Sequence, residues 1–324
     1  MNSGSDTILV KDCKKLIVKI FVIGYSERGE SIVVFFYDSV DEKVLYTVVI
    51  DSYKTSHNLF KTIEILEKAN VKHVDLLCWT HPDADHTVGM EEIVDNFCDA
   101  KSMIFIPENM SGMDDDPIDY NKDDKDIIDK LFQYNSRKIK NVKPVGCNRQ
   151  MTGDQLRFCF SDNVHTIDTS FTVYAPHKDY LIENKRANKK IHKNHLSIFL
   201  MMQVGPYKFD FTGDVENVTL NNLYSTPFDN PLFVKIPHHA SNGSNKLVGL
   251  LHTDGNFASC TTTYHAQGLP HQEMVDNIKT ICPCFHSTGY DESGDNEYGI
   301  VEYSFDLFGK QSAQISCCGH ACKL

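Results

Sequence analysis

Thr80-His81-Pro82-Asp83-Ala84-Asp85-His86 is the stretch on which the reading of this chain turns. Four candidate metal ligands, His81, Asp83, Asp85 and His86, follow directly on an apolar run, Val74–Trp79, that predicts a strand. A loop in this position turns alternate side chains toward one point, and imidazole together with carboxylate suits Zn²⁺, Mn²⁺ or Fe²⁺. Two ions can share such a loop, one on His81 and Asp83, the other on Asp85 and His86. The plainer reading is a polar loop capping the next helix, where Asp and Thr are common.

Two further stretches repeat the pattern of chemistry at a strand end. Phe211-Thr212-Gly213-Asp214 closes an apolar run with a glycine that permits a sharp turn and a carboxylate able to bridge two cations. As a plain strand-end turn, Asp214 would cap the following helix. Lys235-Ile236-Pro237-His238-His239-Ala240-Ser241 again places imidazoles after an apolar strand. One of the pair can ligate a metal while the other bonds substrate or positions the first. Loops at strand ends gather at one edge of a sheet, so the order of the three stretches says more than any one of them.

Working outward, Leu16–Gly24, Ser31–Tyr37 and Leu45–Asp51 read as strands, parted by the turn clusters Ser26–Gly29 and Asp38–Asp41. Leu59–Ala69 has apolar residues at helical spacing, Met90–Phe97 reads as a helix and Met103–Ile106 as a strand. Residues 108–150 read as an insertion, with the acidic run Asp114–Asp116, a helix over Lys125–Phe132 and a basic stretch through Arg137, Lys138, Lys140 and Lys143. A calcium loop from Asp119 is rejected, because Asp124 stands where glycine is required and Lys130 where the bidentate Glu belongs. Further strands are expected over Arg157–Phe160, Phe171–Tyr174, Ile198–Val204, Tyr207–Phe211, Leu232–Ile236, Cys284–His286 and Gly299–Phe305. Helices are expected over Val218–Tyr224, Lys246–Leu251 and Gln272–Thr280. Strand-rich halves with helices between them predict an α/β chain of two sheets sandwiched by helices, one domain over residues 1–310.

Of 324 residues, 41% are hydrophobic and 23% charged, enough for a full core. The net charge of −12 argues against a general nucleic-acid coating protein, although a local basic groove is compatible with it. The polar Met1–Thr7 and the short run Leu16–Ile23, broken by Lys19, do not make a secretory leader. No run reaches the roughly 18–20 apolar residues of a membrane span. Eleven scattered cysteines in such a chain are expected to be mostly reduced, with a cytoplasmic location as the default.

The His-x-Asp-x-Asp-His block, the Thr-Gly-Asp and the Pro-His-His-x-Ser together resemble the metallo-β-lactamase superfamily. Within it they are similar to the hydrolase domain of ComEC, the bacterial DNA-uptake protein, and its stand-alone relatives. Asp83 stands where most of the superfamily has histidine, as in that branch. Asn194-His195-Leu196-Ser197 fits its Asn-x-x-Ser, and Pro270-His271 its late Pro-His. The resemblance spans about residues 16–305. It departs from the pattern at Ala240, where glycine is usual, and at Gly89-Met90, where Gly-Gly is common. The channel and the small barrel of ComEC are absent, so only the hydrolase part is implied.

The resemblance implies an αββα sandwich of the metallo-β-lactamase fold with two divalent ions, Zn²⁺ or Mn²⁺, at one edge. It implies His81, Asp83, Asp85, His86, Asp214 and one of His238 and His239 as ligands or near-ligands. We take His238 as the ligand and His195 as a possible extra one. Such a centre lowers the pKa of water to about 7. Asp85 would orient or deprotonate that water, and His239 or His271 would protonate the leaving alkoxide. His271 also reads simply as a helix-start residue. The basic loop Glu183–His195, with Lys185, Arg186, Lys189, Lys190 and Lys193, precedes Asn194 and Ser197 and favours a phosphodiester substrate, nucleic acid or nucleotide. A solvated surface loop is the alternative. No row of exposed aromatics for stacking bases is evident.

The tail 311–324, with Cys317, Cys318, His320 and Cys322, lacks a second ligand pair at zinc-finger spacing and reads as reduced and mobile. The expected function is a metal-dependent phosphodiesterase or nuclease. The alternatives are a metallo-hydrolase of a lactone, thioester or phospholipid head group, and a metal-stabilised scaffold partnering a larger assembly such as a bacterial defence system.

Overall fold

The computed structural model describes residues 9–108, 110, 118, 120–147, 155–161, 166–223, 228–251, 256–289, 297–307 and 313–324. Asp114–Asp116, Asp119 and Tyr224, on which parts of the sequence reading fell, lie outside them. The strands in chain order are β1 (Leu9–Asp12), β2 (Leu16–Tyr25), β3 (Glu30–Asp38), β4 (Lys43–Ile50), β5 (Leu76–Cys78), β6 (Met103–Pro107), β7 (Asn141–Val145), β8 (Gln155–Ser161), β9 (Thr166–Ala175), β10 (Phe199–Val204), β11 (Tyr207–Phe211), β12 (Phe233–Lys235), β13 (Ala258–Thr261), β14 (Cys284–Ser287), β15 (Tyr298–Asp306), β16 (Gln314–Gly319) and β17 (Cys322–Lys323). The helices are α1 (Lys61–Lys68), α2 (Ala84–Thr87), α3 (Met90–Phe97), α4 (Lys122–Ser136), α5 (Lys178–Arg186), α6 (Asn217–Leu220), α7 (Lys246–Leu250) and α8 (Gln272–Ile281).

One sheet runs β1-β8-β9-β10-β11-β12-β13-β14-β17 and the other β16-β15-β2-β3-β4-β5-β6-β7. Strand alternation explains the layers. In β2, Leu16, Val18, Ile20 and Val22 turn inward and pack with Phe36, Val48 and Leu76 against Phe158, Phe171, Leu200, Phe209 and Phe233 of the facing sheet. Opposite side chains of the second sheet, among them Val33, Val49, Leu77 and Trp79, pack on Leu66 of α1, on Met90, Ile93 and Val94 of α3, and on Ile127, Ile128 and Leu131 of α4. Val234 and Ile236 on the outer side of the first sheet meet Leu220, Leu247, Met274, Val275 and Ile278 of α6, α7 and α8. The result is the αββα sandwich expected. No helix among the described residues is long and apolar enough to cross a membrane.

Topology brings the informative loops together. β4, β5, β6 and β7 run parallel, as do β11, β12, β13 and β14. The carboxyl ends of β4, β5, β11, β12 and β13 open onto Asp51, His81, Asp214, His239 and Thr262. β3 is antiparallel to β4, with Ile32 opposite Ile50, so the start of β3 brings Glu30 to the same edge.

Two regions differ from their sequence reading. Within the expected insertion, β7 pairs in parallel with β6 and extends the sheet, while α4 covers it. The tail is not a loose appendage: β16 pairs with β15 in one sheet and β17 with β14 in the other. Ile315 and Cys317 sit opposite Tyr303 and Val301, so alternate tail residues serve as strand residues, and Gly319 takes the turn at φ 68°.

Candidate metal centre

Asp51 organises the first block. Its Oδ1 accepts the Thr80 N–H at 2.7 Å, and its Oδ2 accepts the Thr80 hydroxyl at 2.6 Å. The same Oδ2 lies 2.8 Å from His86 Nδ1. A carboxylate accepts only, so His86 carries its proton on Nδ1. Thr80 has spent its single proton on Asp51 and therefore accepts from His81 Nδ1, 3.0 Å away. Both rings are thus pinned with Nε2 free of a structural bond, and both Nε2 atoms are buried without a hydrogen-bond partner.

These nitrogens face one carboxylate. Asp214 Oδ2 is 3.9 Å from His81 Nε2, 3.3 Å from His86 Nε2 and 3.7 Å from His239 Nε2. Asp85 Oδ2 adds a second anionic oxygen, 3.5 Å from His86 Nε2 and 3.0 Å from His239 Nε2. All five side chains are buried. Asp214 Oδ1 also lacks a partner, and an unsatisfied buried polar atom costs about 1–3 kcal/mol. Three imidazole nitrogens and two carboxylates converging in this way fit a divalent cation, whose coordination would satisfy the orphaned atoms.

The turn that presents Asp214 is built for the purpose. Gly213 takes φ 52°, the Asp214 N–H donates to Ser197 Oγ at 2.8 Å, and Thr212 Oγ1 donates to the Lys235 carbonyl at 2.6 Å. His238, His239 and Ala240 all have positive φ (49°, 50° and 58°), a left-handed run uncommon for residues with a Cβ. It is held by the Ala240 N–H to the Pro237 carbonyl, the Ser241 N–H to the His238 carbonyl and the His271 N–H to the Ala240 carbonyl.

The charges agree with the geometry. Burial opposes ionisation of Asp214, but His86 and His239 outweigh it and hold its pKa well below the usual range. Asp85 is likewise lowered, to about 2, with burial overcome by His86 and His239. Burial presses His86 toward neutrality, yet Asp214, Asp85 and Asp51 raise it well above normal, and His239 is raised in the same way, chiefly by Asp214 and Asp85. His81 is lowered, by burial first and by neighbouring His86 second.

Of the residues predicted from sequence, His81, Asp85, His86, Asp214 and His239 come together. His238, expected as the ligand of its pair, turns away: its Nδ1 lies 3.3 Å from Glu216 Oε1, and His239 occupies the cluster instead. The cause is the left-handed run, which sends adjacent side chains in different directions. His195 faces the same Glu216, with Nε2 3.7 Å from Oε2 and Nδ1 3.2 Å from the Tyr180 hydroxyl. Asp83 is half-buried at the N-cap of α2, its Oδ1 accepting the Ala84 N–H at 3.0 Å. His271 is half-buried at the start of α8, its Nδ1 accepting the Asn242 N–H at 3.0 Å.

The residues read as substrate contacts divide as well. Ser197 supports Asp214, and Asn194 Nδ2 donates to Glu216 Oε1 at 3.1 Å. Lys193 Nζ donates to Asp124 Oδ2 at 2.8 Å, tying the loop to the capping box of α4. Lys189 and Lys190 are exposed just beyond α5.

Sequence reasoning missed Asp51, Thr262 and Glu30. Glu30 lies within 4.8 Å of His86, Asp214 and His239, but its close approaches to the imidazoles are to Nδ1, at 4.0 Å and 3.6 Å. It stands behind the rings and not among their Nε2 atoms. The available signal was an acidic residue placed at the head of an otherwise apolar buried strand.

No family model matches the chain, and no curated protein does. Among solved structures, the chain is similar to a protein from Parabacteroides distasonis ATCC 8503 described as a metal-dependent hydrolase. That likeness has 12% identity and a TM-score of 0.39, covering 81% of this chain and 89% of that one. It is also similar to a diphosphatase of the PhnP family, at 12% identity and a TM-score of 0.41 over 90% of this chain and 100% of that one. Likenesses this distant carry no argument about the site, which stands on its own geometry.

Proposed function

We propose that the chain is a divalent-metal-dependent phosphodiesterase acting on nucleic acid or a nucleotide. The observation that carries the reading is the convergence of three imidazole Nε2 atoms on Asp214 Oδ2, within 3.9 Å. His81, Asp85, His86, Asp214 and His239 would hold the divalent metal, Zn²⁺ or Mn²⁺, two ions on this reading. The ions supply Lewis acidity toward a phosphoryl oxygen and a lowered pKa for water.

Asp85, held near a pKa of about 2, is a weak base at neutral pH. Its work is to accept a hydrogen bond from the attacking water and orient it. His239 is not the leaving-group acid, because its Nδ1 is engaged with Thr262 and its Nε2 faces Asp85. Lys185, Arg186, Lys189 and Lys190 are exposed on and after α5, a few residues before Asn194 and Ser197, and supply positive charge for a phosphate backbone. The ComEC-type resemblance agrees with this substrate class and rests on the same motifs.

The test is hydrolysis of bis-p-nitrophenyl phosphate with added Mn²⁺ or Zn²⁺, wild type beside His86→Ala and Asp85→Asn. Metal-dependent release of nitrophenol, reduced about 100-fold or more in both variants, is expected. Metal-loaded protein that leaves phosphodiesters intact but cleaves a thioester or lactone would move the reading to another bond.

A further inference from the structure

We propose that Glu30, acting through the Thr262 hydroxyl, is a positioning residue that fixes which nitrogen of His239 faces the metal centre and so sets metal affinity. The inference rests on the metal-site reading above. It comes from counting protons in a buried chain of four groups.

Lys235 is wholly buried and donates from Nζ to Glu30 Oε2 at 2.7 Å. Glu30, 2% exposed, faces this buried ammonium at ion-pair distance and is the accepting carboxylate of the pair. The Thr262 hydroxyl is hydrogen-bonded to the same Glu30 oxygen and lies 2.8 Å from His239 Nδ1. A hydroxyl has one proton and two lone pairs, whereas an ionised carboxylate only accepts. Thr262 therefore donates to Glu30 and turns a lone pair to His239, which must donate from Nδ1. The nitrogen left for a cation is Nε2, 3.0 Å from Asp85 Oδ2. The assignment holds whether the ring carries one proton or two, because Nδ1 keeps its proton in both states.

His86 provides the internal control. Asp51 contacts its Nδ1 directly at 2.8 Å, with no intervening hydroxyl. Removing the Thr262 hydroxyl thus releases one ring of the centre and leaves the other pinned. Thr262→Val keeps the shape of the side chain at a fully buried position, and Thr262→Ser restores the hydroxyl.

The experiment measures the Zn²⁺ dissociation constant by chelator competition, together with ¹⁵N spectra of histidine-labelled protein, Zn²⁺-loaded and metal-free. Thr262→Val is expected to weaken Zn²⁺ binding about 10- to 100-fold. It should also abolish the protected Nδ1–H signal of His239 while that of His86 persists, and Thr262→Ser should recover both. Zn²⁺ affinity in Thr262→Val within about twofold of wild type would overturn the proposal, since second-shell losses run to tenfold or more. So would a wild-type His239 that carries a proton on Nε2 and none on Nδ1. A wild type that binds no Zn²⁺ or Mn²⁺ sinks the hydrolase reading instead, and the metal-free spectra still decide where the His239 proton sits.

Discussion

Gly213→Ala tests whether the turn before Asp214 is built as tightly as the site requires. Gly213 sits at φ 52°, and a Cβ there would lie 2.4 Å from Ser197 Oγ, 3.1 Å from the Ile198 carbonyl oxygen and 3.2 Å from Thr80 Cβ. The left-handed backbone costs a residue with a Cβ about 1–2 kcal/mol. The overlap adds about 1–3 kcal/mol, as overpacking does elsewhere. Ser197 cannot retreat freely, because its Oγ accepts the Asp214 N–H at 2.8 Å, and losing that bond costs about 0.5–1.5 kcal/mol more. The substitution should therefore destabilise the fold by about 3–6 kcal/mol and reduce bound metal by displacing Asp214. Urea denaturation of the metal-free protein gives the first number, and elemental analysis of the loaded protein the second. A Gly213→Ala/Ser197→Ala double variant removes the closest overlap, so its cost should fall short of the two single costs together by about 0.5–2 kcal/mol. A Gly213→Ala cost below about 1 kcal/mol, or strict additivity, would refute the reasoning.

Two further outcomes follow from buried charges away from the centre. Asp210 is fully buried with both carboxylate oxygens unpartnered, and burial raises its pKa well above 3.8. Above pH 3.8 the unfolded chain releases that proton while the folded chain keeps it, so stability falls as pH rises toward the folded pKa. Asp210→Asn should remove this slope, and the variant should gain on wild type in denaturation midpoint between pH 4 and pH 8; parallel pH profiles would contradict it. Lys193→Ala should cost about 1–3 kcal/mol at pH 7 by stranding buried Asp124. The cost should shrink at about pH 4, because burial raises the Asp124 pKa and lets it neutralise. A change in substrate KM with unchanged stability would instead make Lys193 a substrate contact.

The sequence was legible where local pattern and tertiary role agree. β2, β3 and β4 are runs of Val, Ile, Phe and Tyr, and successive side chains divide between the inter-sheet core and the helix layer. β13 was missed because Ala258-Ser259-Cys260-Thr261 offers no bulky side chain to recognise; its four residues are all buried by their neighbours. Lys143 and Pro144 disguised β7 as a basic loop, and the polar composition of α5 hid a helix whose buried anchor is Leu181. In the site, candidate ligands grouped within a few residues could be read in advance as a cluster. Glu30, Asp51 and Thr262 could not, because their roles arise from strands distant in sequence meeting at one sheet edge. The choice between His238 and His239 depends on three left-handed residues, which no residue pattern announces.

The pairing of β15 with β2, from Tyr298 opposite Tyr25 to Asp306 opposite Ile17, has a cost during protein synthesis. β2 leaves the ribosome long before its neighbour exists; at roughly 5–20 residues per second the interval is about 15–55 s. Throughout it β2 carries an edge of unpaired backbone N–H and C=O groups on an apolar strand, the kind of edge that invites pairing with other chains. Soluble yield in a cell should therefore depend on chaperones that shield this edge, and on translation speed through the second half of the message, more than on the equilibrium stability of the finished sandwich.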